Sequence, residues 1–565
     1  MEQQHEWNDN ALGGDLLRGD LLGGDLLGSD LLGGDALADD AIGMAASNLG
    51  PSIVGTMLHF FSPVEQPFER ASVVRGDGGS LSASTMPRRA WLRLATRASL
   101  AAIAGPWSSS ASSANGAPAG RPVERPVAQG RIAEGRGPGW NRAKSVIVVF
   151  ASGGQSQLDM WDPKPDAPLD VRGDFRAIAT RLAGVRVCEH LPRVAGVLDR
   201  CTLVRSMSHE DLDHGSAVYL ALTGHYHPRR SSNPSPAATD FPTLGALVRR
   251  LRPASRFLCD ALHLNGPALV PTTPSPGQNG GFLGRGVEPW VVGDVLDARG
   301  AMPGLEPRGD WAAERLDARL ALKRSLDAFR GELDSLSDVA DLNRWFVEAR
   351  QLLDQPAARV AFDLERESSV TRSRYGHHRS GQALLLARRL VEAGVPYINV
   401  IWNHSNRGQD TQPDDTDSYG WDTHNDIFSS LRDRLLPRFD ESFSALIEDL
   451  DQRGLLDDTL VVCMGEFGRA PRVALEPRFA GATPGRKHWA GVYSLVMAGA
   501  GVQRGAVVGQ SDRMGAEPVT ARYGPWDVAA TIFHTLGIAP DSEYQDASER
   551  PFRASEGRPM AEVVA

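Results

Sequence analysis

The sequence predicts an α/β protein, an α/β/α sandwich on a mainly parallel central sheet, over residues 143–565. Three observations carry this expectation. Several segments are near-continuous apolar runs, the pattern of strands covered on both faces. Segments of helical length alternate with those runs. Polar residues able to do chemistry follow directly after the runs, where an open parallel sheet presents its ligand-binding edge.

Taken in order, "SVIVVF" (145–150) reads as the first strand and runs into the glycine turn of "SGGQSQLD". "CTLVRSM" (201–207) reads as a second strand. "HGSAVYLALTG" (214–224) suits a helix that begins near His214 and stops at Gly224. A long amphipathic stretch over 310–354 sets Leu316, Leu320, Leu322, Leu326 and Phe329 at helical spacing. "SGQALLLARRLVEAGV" (380–395) is a helix and "PYINVIW" (396–402) a strand. Residues 425–454 make one helix or two, interrupted at Pro437. "DTLVVCMG" (458–465) and "GVYSLVMAG" (491–499) are strands, and "PWDVAATIFHTLGI" (525–538) is a late helix.

Composition narrows the function. The chain has 565 residues, is 41% hydrophobic and carries a net charge of −10, so it builds a large core and offers no basic footprint for nucleic acid. Its four cysteines include no C-x-x-C and make no disulfide framework; Cys463, inside an apolar run, reads as a buried thiol. No apolar run reaches the ~18 residues of a membrane span.

The first part of the chain reads differently. Residues 15–39 repeat a five-residue unit (DLLRG, DLLGG, DLLGS, DLLGG, DALAD) whose period matches neither helix nor strand. Residues 1–85 are therefore expected to be low-complexity and disordered. From Met86, "MPRRAWLRLATRASLAAIAGPW" places Arg88 and Arg89 ahead of a short apolar segment and a small-residue region. Residues 86–120 thus resemble a Tat export signal. Such a signal belongs at an N-terminus, so Met86 is the expected start, with residues 1–85 as upstream sequence. Residues 121–142 read as a linker. The expected destination is the periplasm or the exterior.

The strand ends hold the candidate chemistry. Ser152 and Gly153 follow the first strand, with Asp159 beyond them; His209 and His214 follow the second; Asp422 and His424 lie beyond the third, in "GWDTH". Glu466 and Arg469 follow "TLVVCM", and Arg486 and His488 precede the next strand in "GRKHW". Imidazole with carboxylate is a usual ligand set for zinc, manganese or iron in hydrolytic sites. Each position also has a structural reading: an Asx turn at Asp422, a buried Glu466–Arg469 pair, helix capping by His209 or His214, and a braced turn at Asp159.

"SGGQSQLDMWDPKP", "CEHLP", "RSMSH", "ALTG", "GWDTH", "GEFGR" and "GRKHW" resemble, in this order, the markers of the domain-of-unknown-function 1501 family. Its members are commonly exported with twin-arginine leaders, and the family is similar to the alkaline phosphatase and sulfatase superfamily. The resemblance implies an alkaline-phosphatase-like sandwich and a metal-dependent hydrolase acting on a phosphate or sulfate ester, small or polymeric. "HGSAVYLALTG" is similar to the sulfatase nucleophile helix, with His214 where cysteine or serine would stand. "DTLVVCMGEFG" is similar to a strand leading into metal ligands, with Glu466 and Phe467 in their places. The superfamily's first-strand aspartates are replaced by Ser152 and Gly153.

These departures imply a rebuilt site. Asp422, His424, Glu466 and His488 would hold a divalent metal (zinc, manganese or calcium). His214 would act as nucleophile, base or further ligand, with His209 beside it. Arg469 and Arg486, with the backbone around Ser152 and Gly153, would hold the substrate's anionic group. The rival expectation is a non-catalytic descendant that binds a glycan or a protein partner, motivated by the lost first-strand acid and by Phe467.

Overall fold

The computed structural model describes residues 137–253, 259–270, 272–296, 356–403 and 420–565, with Ala321. The repeat, the twin-arginine segment, most of the linker, the 310–354 stretch except Ala321, and His404 lie outside the described residues.

Eight strands form one sheet: β1 (Ser145–Phe150), β2 (Cys201–Met207), β3 (Ala261–Leu264), β4 (Trp290–Val292), β5 (Tyr397–Ile401), β6 (Thr459–Met464), β7 (Tyr493–Ala498) and β8 (Ala506–Val508). Their order is β8-β2-β7-β6-β1-β5-β3-β4. β1 pairs in parallel with both β6 and β5, and the pairs β5/β3, β3/β4 and β8/β2 are parallel as well. β7 alone runs antiparallel, to β6 and to β2. The fold is thus the mainly parallel α/β sandwich that the apolar runs predict.

Among the described residues, the helices of eight residues or more are α1 (His214–Thr223), α2 (Leu244–Leu251), α3 (Arg379–Glu392), α4 (Leu436–Gln452) and α5 (Pro525–Thr535). β1 shows how its residues divide the core. Val146, Val148 and Phe150 join the cluster that includes α1, α2 and α5 residues, whereas Ile147 and Val149 join the one with α3 and α4. Each such side chain, fully buried, contributes about 1.5–3 kcal/mol relative to exposure. Alternation with period two therefore fills two apolar layers from one strand.

The helix expected to break at Pro437 does not break. Ile427–Ser430 is α-helical, Leu431–Leu435 forms a π-helical turn, and α4 carries Pro437 in its first turn. The π turn lets the chain pass the proline, which has no N–H to donate. Seven strands point the same way, so the ends of β1, β2, β5 and β6 share one edge with the start of β7. Every candidate residue sits at that edge.

Candidate metal centre

His214 opens α1, where Asp213 caps the helix by accepting the His214 backbone N–H (3.0 Å). Glu466 lies two residues past the end of β6. Beyond it, a two-residue antiparallel ladder pairs Gly468 with Trp489 and Arg469 with His488. Gln157 pins this ladder: its Nε2 donates to the Arg469 carbonyl (2.8 Å) and its Oε1 accepts the Arg469 N–H (2.9 Å). The Asp422 segment is laid over the end of β1, with the Trp421 N–H donating to the Ser152 carbonyl (3.2 Å) and the Arg486 N–H to the Thr423 carbonyl (3.3 Å).

Four side chains converge on one atom, Asp422 Oδ1. The Nε2 atoms of His424, His214 and His488 lie 3.1, 3.2 and 3.3 Å from it, and Arg469 Nη2 donates to it at 2.7 Å. His424 Nε2 and His488 Nε2 are 2.9 Å apart. His214, Asp422 and His488 offer ligand atoms that all lie within 4.8 Å of one another. A tetrahedral site with bonds of about 2.0–2.1 Å sets its ligand atoms about 3.3 Å apart, so the spacing fits an ion of the zinc type.

Outer partners aim two of the rings. Glu466 Oε1 accepts from His214 Nδ1–H (2.6 Å), and the Leu212 carbonyl accepts from His488 Nδ1–H (2.7 Å). Neither oxygen can donate, so each Nδ1 carries the proton and each Nε2 faces inward. His424 is aimed by stacking: its ring lies 3.6 Å from that of Phe479, at an interplanar angle of 4°. His424 Nδ1 and Glu466 Oε2 are buried without a hydrogen-bond partner.

The electrostatics follow from this crowding. Burial opposes charge on His214, but Asp422 and Glu466 on either side raise its pKa to about 9. Burial would raise the Asp422 pKa, yet His214 and Arg469 hold it well below the usual carboxylate range. Burial, reinforced by the charge of His214, pushes His488 down to about 3, and burial also lowers His424. Without metal, a protonated His214 supplies charge that a bound cation would replace.

Several expected roles change. Glu466, expected as a ligand, places Oε1 on His214 and on the Gly153 N–H (2.8 Å), while its Oε2 has no partner. Of the roles expected for His214, its place beside Asp422 and His488 fits that of a further ligand. His209 is not poised as a base: its Nε2–H donates to the Glu466 carbonyl (2.7 Å) and its Nδ1 accepts the Asp211 N–H (3.1 Å). Arg486 is not available to a substrate anion. It is fully buried, binds both oxygens of Asp159 (2.7 and 3.0 Å), and donates further to the carbonyls of Val171, Ala470 and Pro471.

Arg469 is similarly spent on Asp422 and on the carbonyls of Gly153, Gly154 and Arg486. In the glycine turn the Gly153 N–H goes to Glu466, and the Ser152 carbonyl takes Trp421 and Asn403 Nδ2 (2.7 Å). Gly154 is required there: its φ is +81°, and a Cβ would lie 2.7 Å from the Phe467 ring. Sequence reasoning missed Gln157, Leu212, Asn425 and Phe479. Gln157 stands in a quoted marker and Asn425 directly follows one; Leu212 and Phe479 carry no polar signature of a site.

A search of curated proteins finds no match to this chain. Solved structures similar to it include a protein of the alkaline phosphatase superfamily from Vibrio parahaemolyticus (TM-score 0.35, 11% identity, 76% of this chain and 72% of that one). Others are the phosphonate monoester hydrolase SpPMH from Silicibacter pomeroyi (0.33, 12%, 74% and 76%) and the PsFucS1 sulfatase from Pseudoalteromonas sp. (0.30, 12%, 74% and 75%). Likeness at these scores carries no argument about the chemistry of this chain. The model of one family, described as "Protein of unknown function (DUF1501)", matches residues 143–564, and the chain belongs to that DUF1501 family.

Proposed function

We propose that this protein is an exported, metal-dependent hydrolase of a phosphate or sulfate ester, with a site rebuilt around Asp422, His214, His488 and His424. The convergence of three imidazole nitrogens on one Asp422 oxygen carries the reading. Lone pairs directed at one point repel unless a proton or a cation lies among them. Two or three imidazoles with one carboxylate suit zinc or manganese, whereas calcium favours six to eight oxygens and fits this set poorly. Export rests on the twin arginines Arg88 and Arg89.

When bound, the ion supplies Lewis-acid polarisation of an ester oxygen and a lowered pKa for water. The chain's own groups prepare for this. Glu466 keeps the proton on His214 Nδ1, and the Leu212 carbonyl does the same for His488, leaving both Nε2 atoms able to donate electron pairs. Arg469 keeps Asp422 ionised. Phe467, 4.9 Å from the His214 ring and 4.7 Å from that of His488, covers the rings with an apolar side chain.

The test is turnover of aryl sulfates, aryl phosphates and diaryl phosphates with added zinc or manganese. Asp422→Asn should lower kcat/KM by at least about a hundredfold. Turnover that survives both chelation and Asp422→Asn would contradict the proposal.

A further inference from the structure

One apolar side chain stands at the exposed rim of this centre, and a second exposed apolar residue holds one of its rings through the backbone. Phe479 covers one face of the His424 ring and is still 41% exposed, so the rest of its ring is open to solvent. Leu212, whose carbonyl holds His488, is 48% exposed. An exposed aromatic ring stacked on a metal-site imidazole is placed where the non-reacting part of a substrate would lie.

Phe479 is held there by a dedicated clamp. Asn425, buried next to His424, donates from Nδ2 to the carbonyls of Glu476 (2.9 Å), Phe479 (3.1 Å) and Ala480 (3.2 Å), and its Oδ1 accepts the Glu476 N–H (2.8 Å). Asp426 Oδ1 accepts from the Thr483 N–H and hydroxyl, both at 2.6 Å. The loop that carries the aromatic ring is therefore tied to the two residues directly after His424. A ring fixed in this way is a preorganised surface.

The charge at the site points the same way. Arg469 and Arg486 are engaged within the protein, and the exposed Lys487 pairs with Glu476 at 3.1 Å. The arginine that touches the centre, Arg469, and its neighbours Arg486 and Lys487 are thus already engaged. A doubly charged phosphate monoester needs more compensation than a singly charged ester.

We propose that Phe479 forms an apolar wall that selects a singly charged tetrahedral ester bearing an aromatic group. The proposal rests on the metal-site reading above. A sulfate monoester and a phosphodiester share this chemistry.

The test is equilibrium binding, followed by ligand-observed NMR on the full chain with and without zinc, with metal content measured on each sample. Benzenesulfonate stands for the sulfate ester and methyl phenylphosphonate for the diester; methanesulfonate and methyl methylphosphonate are their controls. An aromatic probe should bind about tenfold more tightly than its control in the parent, and within about twofold in Phe479→Ala. Phe479→Tyr should keep the preference, which separates loss of the wall from collapse of the loop. The arm that binds more tightly names the ester.

Equal binding of aromatic and methyl probes in the parent would overturn the proposal, as would an undiminished preference in Phe479→Ala or no binding of any probe. A parent without metal refutes the functional reading alone. A Phe479-dependent preference in that metal-free protein would still uphold the wall.

Discussion

Asp159 and Asp422 each meet a buried arginine at the same edge of the sheet, with opposite outcomes. Asp159 takes Arg486 in a two-pronged pair and accepts the Ser156 hydroxyl at 2.5 Å. Arg486 spends its remaining donors on backbone carbonyls, so that pair is closed. Asp422 instead shares one oxygen among Arg469 and three imidazole nitrogens. Burial and charge are common to both clusters. What distinguishes a site from a brace is the surplus of inward-facing electron pairs and unmatched atoms around Asp422.

The largest effect that follows is on stability. Arg486→Leu strands Asp159 without its partner and should cost about 3–5 kcal/mol in urea denaturation. Asp422→Asn should cost clearly less, because Arg469 retains its carbonyl acceptors and His214 no longer needs a proton on Nε2. The reverse order would break the comparison.

A smaller effect is set by pH. The His214 pKa is raised in the folded protein to about 9, above its ordinary value near 6.5. Its contribution to stability is therefore full below about pH 6.5 and is lost as the pH rises through about 9. In chelator-treated protein, urea stability should fall across that window by at most about 3 kcal/mol more than in His214→Asn. An identical profile in the two proteins would show that His214 bears no such charge.

Much of this edge is legible from sequence. β1, β2, β5 and β6 are near-continuous apolar runs, and the pairing of β1 with β5 and β6 and the short ladder beyond β6 bring the "GWDTH", "GEFGR" and "GRKHW" segments together. Three strands, β3, β4 and β8, escape notice because they span only four, three and three residues, too short for a pattern. The antiparallel sense of β7 leaves no trace in its composition.

Roles are harder to read than places. Glu466 and Asp422 look alike in sequence, and only the structure sets one 2.6 Å from His214 Nδ1 and faces the other with three imidazole nitrogens. Arg486 looks like an anion binder until Asp159, 327 positions away, is seen to fill it. Phe479 carries no polar signal, and its place depends on the side chain of Asn425.

The most direct measurement is metal content. The chain is purified without chelator, and bound metals are quantified by mass spectrometry beside Asp422→Asn and His488→Gln. A rebuilt centre should hold about one zinc or manganese per chain in the parent, lost from both variants while they stay folded. A well-folded parent that takes up no metal, even after zinc and manganese are added back, would contradict the account and favour a binding protein built on the same sheet.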